Sequence, residues 1–91
     1  MAMIAAWLRV DEERVVQSLQ EAGEKLEAAE GELILDFSSV LRIDPGVVRS
    51  LEKLAGAAEE KTVRIALRGV NVGIYKVLKL VKLTRRFSFV N

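Results

Sequence analysis

The sequence predicts one α/β domain spanning residues 1–91, in the order β-α-β-α-β-α-β, with three helices and a mostly parallel four-stranded sheet. Three observations lead there. Short apolar or alternating runs recur at residues 3–10, 33–37, 62–67 and 87–90, and longer stretches between them carry apolar residues at helical spacing. Strands separated by helices of this length need crossover connections, which pair strands in parallel and, because the chain twists, in a right-handed sense. A chain of 91 residues has room for one hydrophobic core.

Residues 3–10 place Ile4, Ala6, Leu8 and Val10 on one side and Ala5, Trp7 and Arg9 on the other, as a strand near a sheet edge does. Asp11 is positioned to cap the next helix, with Glu12 and Glu13 where the helix dipole favours negative charge. Val15, Val16, Leu19, Ala22, Leu26 and Ala29 then recur at helical spacing, and Gly31 reads as the glycine that closes the segment. Gly23 inside it weakens the helix by about 1 kcal/mol relative to alanine. Leu33, Ile34, Leu35 and Phe37 form an apolar run with a single acid, expected of a central strand covered on both faces.

Asp44 and Pro45 mark a helix start twice over. A carboxylate there accepts from free first-turn amides, and proline at the first helical position lacks an N–H that would be unpaired anyway. Val47, Leu51, Leu54, Ala55 and Ala58 fall on one face, with Gly46, Arg49, Ser50 and Lys53 on the other. Glu59, Glu60 and Lys61 read as a polar connection to the third strand, where Val63, Ile65 and Leu67 oppose Arg64, Ala66 and Arg68. Gly69 permits a turn, Asn71 can cap, and the last helix turns Ile74, Val77, Leu78 and Val81 inward. Lys76 and Lys79 point outward, and Leu80 and Leu83 are expected beneath the final strand.

The composition, 51% hydrophobic and 30% charged, is that of a folded domain. No apolar run approaches the roughly 20 residues of a membrane span, and the first ten residues lack the basic start of a signal peptide. With no cysteine and no histidine, thiolate chemistry, the commonest general base and the commonest metal ligands are missing. No Gly-x-x-x-x-Gly-Lys or Gly-x-Gly-x-x-Gly occurs to cradle a phosphate. Asp36 and Asp44 are the aspartates nearest a strand end, and they read as a loop holder and a helix cap rather than a catalytic pair. The expectation is therefore no enzyme, no metal and no cofactor, in a reducing cytoplasm. Charge is divided along the chain: residues 1–60 carry six basic and thirteen acidic groups, a net −7, and residues 61–91 carry +8. Such a split suits an anionic partner for the C-terminal part or attraction between copies.

Leu35-Asp36-Phe37-Ser38, Val40 and Ile43-Asp44-Pro45-Gly46-Val47-Val48 together resemble the strand, loop and helix start of a STAS domain, the module named for sulfate transporters and anti-sigma factor antagonists. Arg68-Gly69-Val70-Asn71 before residues 72–80 is similar to the family's next strand-to-helix turn, and the closest likeness is to the STAS subunit of Mla-type lipid-transport ABC systems. The resemblance covers roughly residues 32–90. It implies a bacterial protein-binding module in the cytoplasm, reaching the inner membrane only through a partner, and docking through Asp44, Pro45, Gly46, Val48 and Arg49. The implied partner is an ABC-transporter ATPase subunit or an anti-sigma factor. One departure bears on regulation: where antagonists carry a phosphorylatable Ser or Thr after the aspartate, this chain has Pro45 and Gly46. Against the usual plan it also lacks an N-terminal strand and a terminal helix, so exposed sheet edges make a homodimer a further expectation.

Two other surfaces come from the residues themselves. Lys76, Lys79, Lys82, Arg85 and Arg86 form a basic group that reads first as a solvated face and otherwise as suited to anionic lipid heads, an acidic protein partner or nucleic acid, although Tyr75 is the only aromatic interleaved among them. Ser38, Ser39 and Ser50 carry hydroxyls, and the Ser38-Ser39 pair reads as a turn bonded to its own backbone.

Overall fold

In the computed structural model, which describes residues 5–29 and 31–90, strands and helices alternate throughout. The elements are β1 (Ala5–Arg9), α1 (Val15–Lys25), β2 (Glu32–Asp36), α2 (Pro45–Lys61), β3 (Arg64–Arg68), α3 (Val72–Leu80) and β4 (Ser88–Val90). The strands lie in the order β1-β2-β3-β4, and all three pairings are parallel. Right-handed crossovers between neighbouring strands in this order put every helix on one face of the sheet. The burial pattern follows from that. Val10, Leu33, Leu35, Phe37, Ile65 and Leu67 are buried in the core with Leu19, Leu51, Leu54, Ile74 and Leu78 from the helices. The opposite face carries Trp7, Ile34 and Ala66 in one row and Arg9, Asp36, Arg68 and Val90 in the next.

This corrects the reading of β2. It is central in the sheet but covered by helices on one face only: Leu33 and Leu35 are buried, whereas Ile34 is half-buried. Trp7 beside it is 50% exposed, with the Arg68 guanidinium 5.5 Å from its ring centroid. Ala66 is buried although it stands on the uncovered side, because its larger neighbours shield so small a side chain.

Several ends also move. The expected first strand begins at Ala5 among the described residues, and Met3 and Ile4 lie outside them. Asp11 does not cap α1. Its carboxylate accepts from the Glu13 amide at 2.8 Å, which makes a local turn, and Arg14 stands at the cap position without a side-chain bond. The helix closes at Leu26, so Gly31, at φ 96°, serves the entry into β2 rather than the end of α1. Helix α2 runs through the stretch read as a connection and ends at Lys61, with Thr62 in the left-handed conformation at φ 57°. Its five predicted inward residues, Val47, Leu51, Leu54, Ala55 and Ala58, are all buried.

Candidate functional site

The strand ends that precede α2 and α3 lie at the same end of the sheet, since parallel strands bring every strand-to-helix turn to one side. Both turns are built alike. The Asp44 carboxylate accepts from the Val47 amide at 2.9 Å, and the Asn71 side-chain oxygen accepts from the Ile74 amide at 2.8 Å. Each cap is followed two residues later by glycine, where a side chain would crowd it: a Cβ would stand 3.2 Å from the Asp44 oxygen at Gly46 and 3.3 Å from the Asn71 oxygen at Gly73. The two turns are also tied together. The Asn71 amide group donates to the Leu41 carbonyl at 2.9 Å, and Gly69 packs so closely on Ser38 that an added Cβ would lie 2.9 Å from the serine Cβ.

Between these helices lies a shallow groove of about 320 Å³ with a mainly apolar lining. The start of α2 contributes Pro45, Val48 and Arg49, the loop before it contributes Ile43 and Asp44, and Val77 and Val81 form the far wall. Four of the five expected docking residues, Asp44, Pro45, Val48 and Arg49, are therefore brought to one feature, and Gly46 sits within the same turn. The α3 wall was missed in the sequence because Val77 and Val81 share the helical spacing of the core residues Ile74 and Leu78. The structure separates them. Ile74 and Leu78 are buried, Val77 is half-buried, and Val81, just past the helix end, is 40% exposed.

Asp36 is held elsewhere, at the end of β2. Its carboxylate accepts from the Ser38 amide at 2.9 Å and lies 3.8 Å from Arg68. Bonding to Ser38, through hydroxyl and amide, holds its pKa below the ordinary value, with smaller contributions from Arg68 and Arg9. A carboxylate so engaged is a poor proton acceptor at neutral pH. Arg9 in turn donates to the Ser39 hydroxyl at 2.8 Å, so this pair of serines is fixed to strand ends as well as to its own turn.

The basic group divides. Arg86 donates twice to Glu59 on α2, at 3.0 and 2.9 Å, and the pairing lowers the Glu59 pKa and raises that of Arg86. Lys76, Lys79, Lys82 and Arg85 are exposed and appear in none of the ion pairs among the described residues. Leu83 is buried as expected. Leu80 is not beneath the final strand but 82% exposed, because it lies on the side of α3 opposite Ile74 and Leu78.

A family model for the Mlab STAS domain matches residues 8–90. Among solved structures, the NMR structure of the protein TM1081 superimposes with a TM-score of 0.77 at 17% identity, covering 96% of this chain and 74% of that one. The 1.59 Å crystal structure of TM1081 from Thermotoga maritima, described as a candidate anti-sigma factor antagonist, gives a TM-score of 0.69 at 18% identity over 96% and 73% of the two chains. No curated protein matches the sequence.

Proposed function

Because the chain belongs to the STAS family, we propose that it is a non-enzymatic binding module whose partner protein docks in the groove between α2 and α3. One observation carries the reading. At the helix start where the resemblance implies docking, an apolar groove stands open beside a turn fixed by the Asp44 cap. A partner that inserts apolar side chains there gains about 25 cal/mol for each Å² of apolar surface removed from water. The rigid turn keeps the ordering penalty small. Asp44 acts as the cap that sets the geometry, Val48, Val77 and Val81 as the apolar contacts, and Arg49 as a polar rim contact.

Of the two partner classes, an ABC-transporter ATPase subunit is favoured over an anti-sigma factor. The positions where an antagonist offers its switch hydroxyl hold Pro45 and Gly46, and binding here has no phosphate at that point to turn it off. The test is crosslinked affinity capture of the tagged protein from its host, washed in high salt. Capture of an ATPase subunit is expected, and its loss with Val48→Asp and with Arg49→Glu. Arg49 is exposed, so the second variant leaves the core intact. Retention of the partner by both folded variants would sink the groove as the docking site.

A further inference from the structure

The outer side of α3 has a character of its own. At about 100° per residue, Val72, Lys76, Lys79 and Leu80 fall opposite the buried Ile74 and Leu78. Leu80 is 82% exposed and Val72 is 70% exposed, so two aliphatic side chains stand in water among lysines. Just beyond, Lys79, Lys82, Thr84 and Arg85 line a concave patch of about 420 Å³. No acid follows Glu60 in the sequence, so no carboxylate from this part of the chain offsets these cations. Lys82 adds a separate sign. It holds the left-handed conformation at φ 63° in the turn that ends α3, a position glycine fills with less strain, yet the chain places a cation there.

We infer that α3 and the α3–β4 turn bind the surface of an anionic lipid bilayer. Charge complementarity selects an anionic partner, and the exposed aliphatics select among anionic partners. Leu80 projects from the same exposed side of the helix as Lys76 and Lys79, an arrangement in which the leucine enters the acyl boundary while the ammonium groups stay at the headgroups. Nucleic acid fits less well. The one aromatic nearby, Tyr75, is packed edge-on against Phe89 at 5.2 Å and offers no stacking platform. Attachment through this surface is peripheral, since no helix among the described residues is long and apolar enough to cross a membrane.

The test is cosedimentation with vesicles of phosphatidylcholine containing about one third phosphatidylglycerol, against pure phosphatidylcholine, using the full chain. Binding to the anionic vesicles alone is expected, with release when the salt is raised to about 1 M, where screening reaches within ~3 Å. Each cation neutralised lowers partitioning about fivefold, so Lys79→Gln with Lys82→Gln lowers it about 25-fold. Leu80→Ser lowers it several-fold without altering the charge. The altered side chains are exposed, and far-UV circular dichroism checks that each variant is folded. The inference is overturned by absent binding, by equal binding to neutral vesicles, by variants that bind like the wild type, or by capture of a single-stranded oligonucleotide or polyglutamate where vesicles are ignored. The assay contains no protein partner, so its failure leaves the docking reading standing.

Discussion

Replacing Asn71 tests whether the two strand-to-helix turns act as one unit. In Asn71→Ala, α3 loses its cap, typically about 1 kcal/mol. The same change removes the bond to the Leu41 carbonyl, worth about 0.5–1.5 kcal/mol net and nearer the low end because that bond is solvent-exposed. The expected loss is about 1.5–2.5 kcal/mol. At roughly 4–8 °C per kcal/mol for a domain of this size, the melting temperature falls by about 10 °C. Asn71→Asp separates the two roles, because a carboxylate still accepts from the Ile74 amide but cannot donate to Leu41. It is expected to lose about 0.5–1 kcal/mol, from the tie alone. Urea denaturation of the three proteins reads both values. The reasoning fails if Asn71→Ala loses less than about 0.5 kcal/mol, below the usual range for a cap. It fails equally if the aspartate variant is as unstable as the alanine one.

Gly69→Ala forces a side chain into φ 73° and sets its Cβ 2.9 Å from the Ser38 Cβ and 3.1 Å from the Ser38 Cα. The conformation accounts for about 1–2 kcal/mol and the overlap for about 1–3 more, so a denaturation experiment showing a loss below about 1 kcal/mol would refute the close approach. Asp36 supplies a pH signature. Its folded pKa lies below the ordinary 3.8, so its contribution is present above that value and is lost as pH falls through the folded pKa. Asp36→Asn should therefore flatten the fall in stability below about pH 4, and an acid limb identical to that of the wild type would show that Asp36 gains nothing from Ser38 and its arginine neighbours.

Much of this was legible because local chemistry dictated it. Asp44 and Pro45 announce α2 without help from distant residues, and Asn71 after Gly69 does the same for α3; both caps form as read. What sequence could not show was which side of each apolar stripe would find a partner. Ile34 and Leu35 are equally apolar, yet only Leu35 faces helices, a consequence of the strand order. Val81 reads as core for the same reason, since periodicity places it on the inward stripe but is silent on where coverage stops, and Leu80, expected beneath the final strand, is left exposed. Asp11 failed as a cap because its side chain can bond either a helix start or a turn two residues on, and the turn was closer.

The groove is best understood as a product of that strand order. With all strands parallel and all helices on one face, the start of α2 comes beside the later part of α3, and the start of each helix is fixed by an Asp or Asn, an intervening residue and a glycine. Rigidity at this end does not depend on burial alone. The Asn71 bond to Leu41 anchors the loop that delivers Ile43 and Asp44, and Gly69 against Ser38 holds the β2 exit onto the β3 exit. The exposed Glu59–Arg86 pair binds α2 to the segment before β4, and solvent screening leaves a surface pair of this kind little weight in stability. A loosened Asn71 thus disturbs the groove through the loop that forms its rim, whereas a broken Glu59–Arg86 pair leaves both caps and the rim in place. That asymmetry is what a prealigned docking surface requires, because order is concentrated where a partner would otherwise have to impose it.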